Sequence, residues 1–381
     1  MYFITIVLLL SALSFYELGK SCSCHEALYL FVLLVMTVLL CFRFGQGTDY
    51  VNYLFPYETQ VHPYDSYFKN SMDHVEWGWY AMLLTISKLG ISFEWFIAFI
   101  SVIMMGCLYR VLKFSPYKMT SLLLFFPTYY MTYCFSALRQ GLAVCLFLGL
   151  GLKLLLERKY WKYCFVICAI SLIHFASLIL IFLPIVFRFK DKHLNILAVI
   201  ALIGALVLSR IPLVQALQVV LGERAQYVEE AEFSVGAIAL RGILFYIIWH
   251  LHHLGDPKDT NLYREERALY QIYYAGFILF LFFSPFGIIS QRLSMPMKTL
   301  EIILIPLLLY RNQRVVFNRK ITRIPKLATY LLVVVLMMNV ECVKNVNSYI
   351  DQQDYHGVTI INYPYISVFD KEAVRRYNYY F

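Results

Sequence analysis

Charge is what this chain has least of. Only 15% of its 381 residues are Asp, Glu, Lys or Arg, against roughly 25% in an ordinary soluble domain. With 60% apolar residues and a mean hydropathy of +0.64, that scarcity excludes a soluble globular protein. The alternating short strands of an outer-membrane barrel are missing too, because continuous apolar runs such as Leu28 to Leu40 and Leu331 to Val340 stand in their place. The start lacks the basic segment of a secretory signal, so the first apolar stretch is expected to remain as an uncleaved span. No internal repeat or low-complexity tract occurs, which points to a single integral domain over residues 1–381. No Asp-x-Asp pair occurs in the loops, so metal-independent chemistry without a cofactor is expected.

The net charge of +9 would suggest nucleic acid in a soluble domain. Here the Lys and Arg residues cluster in short loops between apolar runs, where they set orientation, and no nucleic-acid partner follows. Most of the nine cysteines, among them Cys41, Cys107, Cys134, Cys145, Cys164 and Cys168, lie inside apolar segments as small hydrophobes. Cys22, Cys24 and His25 lack a distant fourth ligand and read as a reduced loop.

What is abundant is apolar helix. A bilayer core needs about 20 mostly apolar residues per crossing, and the chain has room for about twelve, which makes it an all-α polytopic membrane protein. Arg311, Arg314, Arg319, Lys320, Arg323 and Lys326, with no acid among them, mark a cytoplasmic loop from which the other loops are phased. In this reading Arg311 is a snorkelling anchor. Residues 44–92 then form an outer loop, 211–234 a second, acidic one, and 345–381 a Tyr-rich outer tail. Between Lys162 and Arg188 there are too few residues for two full spans and too many for one, so a hairpin of two short helices with His174 at its apex is expected. The stretch 77–90, with Trp77, Trp79 and Tyr80, fits a re-entrant or interfacial helix.

This phasing brings unrelated polar residues to one outer face: Arg43, Asp49, Arg139, Gln140, His174, Arg241 and Arg292. Anchoring arginines belong mainly on the cytoplasmic side, so an outer set is a functional candidate. Guanidinium groups suit a phosphate-bearing headgroup, since the planar fork binds two oxygens and stays charged. His174 is read as a base, a donor to an anion or a plain structural histidine. Asp49 belongs to this outer set and follows Gly45 and Gly47, which permit a tight loop; its structural reading is a turn or a helix N-cap.

The segment Arg43-Phe44-Gly45-Gln46-Gly47-Thr48-Asp49-Tyr50, followed by Tyr53, resembles the opening motif of the EpsG family and related Wzy-type bacterial polysaccharide polymerases. Ala137 to Ala143 around Arg139-Gln140-Gly141, Ile173 to Ser177 around His174, and Ser290-Gln291-Arg292-Leu293-Ser294 are similar to later signatures of that family, in order. One departure is Pro296, where the family usually has an aromatic residue.

The resemblance implies a multi-span glycosyltransferase of the bacterial inner membrane, acting on an oligosaccharide linked to undecaprenyl pyrophosphate. The growing glycan would pass from its lipid pyrophosphate to a sugar hydroxyl of the next unit, in O-antigen, capsule or exopolysaccharide synthesis. A flippase and a chain-length regulator are the partners it implies. Arg139 and Arg292 would hold the pyrophosphate, with Asp49 or His174 as base or, alternatively, the acceptor proton passing to the leaving phosphate. Arg43, Gln140, Arg241, Tyr50 and Tyr53 would contact substrate, although Arg43 could instead structure its loop. The competing readings are a flippase of the same unit, an O-antigen ligase and a membrane acyltransferase.

Overall fold

The computed structural model describes residues 2–20, 23–59, 76–209, 235–254, 260–317, 324–352, 357–359 and 361–376. Among them the protein is all helical, with a single isolated bridge between Arg43 and Ser367. A chain that must satisfy its backbone polar groups without water has few alternatives. Six helices are long and apolar enough to cross a membrane: Phe3–Lys20, Phe93–Leu112, Leu138–Leu156, Asp191–Leu208, Val235–Leu254 and Leu331–Ser348. The pair Gly287–Lys298 and Glu301–Asn312, bent by 45°, makes a seventh if counted as one span. Three shorter apolar helices, Glu26–Cys41, Tyr160–Ser171 and Phe175–Val186, fall below full length. The expected twelve are therefore not reached by length and hydropathy among the described residues.

The chain divides into two compact units. The first comprises Met1–Gly151, Cys168–Phe175 and Ile324–Phe381. Its centre is Phe93–Leu112, packed against Glu26–Cys41, against Leu138–Leu146 and against the π-helical turn Phe147–Gly151. Gly149 permits the last contact, since a Cβ there would come within 2.6 Å of the Cys107 Cβ. The first helix packs on Lys118–Phe125, and its buried Glu17 accepts the N–H groups of Met119 and Thr120 at 3.0 Å each. A carboxylate thus caps the start of a helix distant in sequence, where the helix dipole favours negative charge. A π-helix, Phe126–Cys134, continues that helix and packs against Ile324–Gln352, with Thr128 Oγ1 donating to the Met338 carbonyl at 3.1 Å.

The described residues of the expected 44–92 loop contain two helices. Trp77–Lys88 stands where an interfacial helix was expected, and Thr48–Thr59 follows the glycines where the sequence offered a turn or a helix N-cap. Residues 345–352, expected to open the outer tail, continue the last long helix, Ile324–Gln352. Beyond it the chain returns over the start of the loop. Phe44 N–H donates to the Ile366 carbonyl at 2.8 Å, Val368 N–H to Phe42 at 2.9 Å, and Gln46 Nε2 to Pro364 at 2.6 Å. The 211–234 loop lies outside the described residues, as do Cys22 and Lys320.

The second unit comprises Leu152–Ile167 and Ala176–Arg323. Thr260–Phe282 is its axis and packs against Asp191–Leu208, Val235–Leu254, Gly287–Lys298 and Glu301–Phe317. Pro296 and Pro306 sit inside the last two helices, each removing one backbone hydrogen bond. The expected break at His174 is present: helices Tyr160–Ser171 and Phe175–Phe182 flank it, and Tyr163 Oη donates to the Leu180 carbonyl at 2.5 Å, tying the two arms.

Arg311 corrects the sequence reading. It is no snorkelling anchor: its side chain is buried, and Nη1 donates to Glu266 Oε1 at 2.6 Å while Nη2 donates to the Leu251 and His252 carbonyls at 3.0 and 2.6 Å. A cation on carbonyls at the end of Val235–Leu254 satisfies groups that the helix leaves unpaired.

Candidate functional site

Three side chains from distant parts of the first unit meet in one place. Glu76 immediately precedes the Trp77–Lys88 helix, Arg139 lies in the first turn of Leu138–Leu146, and His174 sits in the break after Ser171. Glu76 Oε2 accepts a hydrogen bond from Arg139 Nη1. Its other oxygen accepts the Phe175 N–H at 3.0 Å and lies 3.7 Å from His174 Nδ1. The backbone locks this meeting. Gly78 N–H donates to the Leu172 carbonyl at 2.8 Å, and a Cβ on Gly78 would stand 2.7 Å from that oxygen, so only glycine lets the helix start so close to the 172–175 turn.

The Arg139 guanidinium also lies 5.6 Å from the centroid of the Tyr53 ring and within electrostatic reach of Asp49, which occupies the first turn of Thr48–Thr59. Burial, reinforced by the Asp49 charge, pushes the Tyr53 phenol up and keeps it neutral. Two glycines shape the surroundings. Gly47 adopts φ +106° and faces the Phe135 carbonyl, while a Cβ on Gly141 would collide with the Tyr133 carbonyl oxygen. The cluster is neither buried nor loose: the Arg139 and Glu76 side chains are 23% and 20% exposed.

The other expected residues of this unit lie deeper. Arg43 is fully buried, with its guanidinium donating to the Leu40 and Cys134 carbonyls at 2.7 and 3.1 Å and lying 4.9 Å from the Phe135 ring centroid. Tyr50 is fully buried and meets Phe93 edge to face at 5.3 Å. Gln140 is buried beside Arg139, and its Nε2 has no hydrogen-bond partner among the described residues. In the second unit, Arg292 is half-buried on Gly287–Lys298, and nearby Ser290 Oγ donates to the Phe280 carbonyl at 2.9 Å. The ring of the same Phe280 carries the Arg241 guanidinium at 4.5 Å. No group of three or more His, Cys, Asp or Glu arranged for a metal occurs among the described residues.

The family model of the EpsG family matches residues 26–363, a span that contains every one of these groups. The chain belongs to the EpsG family. No curated protein and no solved structure matches it. Family membership and the apolar helices make it a membrane protein of the polysaccharide-polymerase type.

Within this EpsG protein the residue that sequence reasoning missed is Glu76. It ends a stretch with Asp65, Asp73 and His74, and an acid there looks like any solvated loop charge. The available signal was local: Glu76-Trp77-Gly78 puts an acid at a helix start with a glycine two residues on, where a close backbone approach is possible.

Proposed function

We propose that this protein polymerises lipid-linked oligosaccharide units at the outer face of a bacterial inner membrane. The growing glycan leaves undecaprenyl pyrophosphate and joins a sugar hydroxyl of the next unit. The observation that carries this reading is the half-open Arg139, a fixed cation on a carboxylate that also approaches His174, within the span that matches the EpsG family.

Negative charge builds on the departing pyrophosphate as the glycosidic bond breaks. A preorganised guanidinium near that oxygen stabilises the transition state more than the ground state. His174 takes the proton of the acceptor hydroxyl, and Glu76 beside it favours the resulting imidazolium. The Tyr53 ring, 5.6 Å from the guanidinium, gives it a second support. Arg43 structures the loop, the second of the two roles its sequence allowed, because its donors are directed at main-chain carbonyls. Arg292 and Arg241 are candidates for phosphate contacts on the second unit, and Gln140 for a substrate hydroxyl.

Deleting the gene tests the step. A polymerase deletion leaves single repeat units attached at the cell surface and abolishes long chains, read as a collapsed ladder on a glycan gel. Loss of every attached unit would indicate a flippase or ligase instead, and an unchanged ladder would remove the proposal.

A further inference from the structure

The polymerase reading leaves a conflict at Arg139, because the guanidinium assigned to the pyrophosphate is already occupied by Glu76. We propose that Glu76 is the resident counter-ion of the donor site, a carboxylate that the donor's pyrophosphate displaces from Arg139 and that then serves His174. The inference rests on the polymerase reading.

The geometry fits an exchange rather than a permanent bridge. Both partners are about one fifth exposed, so a ligand can reach them. Glu76 would not be cast loose on losing Arg139, since its other oxygen stays on the Phe175 N–H at 3.0 Å and Gly78 stays tied to the Leu172 carbonyl. Arg139 likewise keeps the Tyr53 ring 5.6 Å away as a second support. A pyrophosphate offers more charge and more acceptor oxygens to the planar fork than a single carboxylate does, which favours the exchange.

The exchange couples the two halves of the reaction. With its oxygen freed from Arg139, Glu76 directs its full charge at His174 Nδ1, 3.7 Å away. The acceptor proton passes to His174 Nε2 as the acceptor oxygen bonds to the anomeric carbon. The anomeric carbon–oxygen bond to the pyrophosphate breaks, and its electron pair leaves on the pyrophosphate beside Arg139. Glu76 touches neither reacting atom and is a positioning residue, so donor binding prepares the base.

The test uses the full-length protein in nanodiscs, undecaprenyl pyrophosphate as the binding probe, and lipid-linked units extracted from a deletion strain as substrate. Glu76→Gln keeps the shape and an acceptor for the Phe175 N–H but removes the competing charge. It should bind the probe roughly fivefold more tightly and turn over about tenfold more slowly at saturating substrate. Structural damage would instead weaken binding and turnover together. Wild type that binds the probe while Glu76→Gln binds it no more tightly overturns the counter-ion proposal and leaves the polymerase reading standing. Wild type that neither binds the probe nor extends the units overturns the polymerase reading itself. Should Glu76→Gln fail to accumulate, Glu76→Asp carries the test, because a carboxylate drawn back by one methylene also competes less and should tighten binding.

Discussion

Each of the two units brings together an arginine, a glutamate and a histidine, in opposite settings. In the first, Arg139, Glu76 and His174 keep side-chain exposures of 23%, 20% and 10%. In the second, Arg311, Glu266 and His252 keep 5%, 0% and 3%. Glu266 Oε1 lies 2.7 Å from His252 Nδ1, the imidazole stacks on Tyr270 at 4.1 Å, and Asn312 Nδ2 adds a hydrogen bond to the Leu251 carbonyl at 3.0 Å. Sealed in this way, the second trio closes the end of a helix. The same three residue types make a candidate site in one unit and a structural joint in the other, and what separates them is access for a ligand.

The largest expected effect breaks the sealed trio. Glu266→Ala leaves Arg311 buried without its counter-charge, which costs about 3–5 kcal/mol. Membrane accumulation and the thermal midpoint in detergent should both fall sharply, while Glu76→Ala in the open trio should change neither much. Equal losses for the two variants would erase the distinction.

Next comes Arg139→Lys, which keeps the charge and loses the planar fork. It should cost roughly 2–4 kcal/mol in the transition state, on the order of a hundredfold in rate, at normal accumulation. Arg311→Lys should show the reverse pattern, reduced accumulation without a specific rate defect, because the lysine cannot reach Glu266 and two carbonyls at once. A smaller effect is expected from Gly141→Ala, whose methyl group meets the Tyr133 carbonyl, at about 1–3 kcal/mol of stability measured by thermal unfolding. The smallest is Glu17→Gln, which removes the charge from the cap on Met119 and Thr120 and should cost about 1 kcal/mol.

The residues that the sequence made legible share a cause. Arg139 and His174 stand out because charge and imidazole are costly beside apolar runs, and the count of residues between Lys162 and Arg188 was enough to place a break at His174. The all-helical class follows from apolar run length alone. Glu76 stayed hidden because an acid in a polar loop carries no mark of the turn that will fold against it, and the Phe175 N–H it accepts is 99 residues away. Arg311 was misread for the mirror-image reason. At the end of an apolar run it looks like an anchor, and only tertiary packing reveals the Glu266 that it meets 45 residues earlier. Of the Thr48–Thr59 helix the sequence offered only the alternative of an N-cap, because the helix is short and two glycines before it suit a turn as well.

The open trio is the proposed site of glycan transfer from a lipid pyrophosphate. It is tested by the initial rate at which purified protein in nanodiscs extends lipid-linked units, compared between wild type and Arg139→Lys at equal amounts of folded protein. The predicted result is a fall of about a hundredfold with an unchanged thermal midpoint. An Arg139→Lys protein that extends chains at the wild-type rate would contradict it.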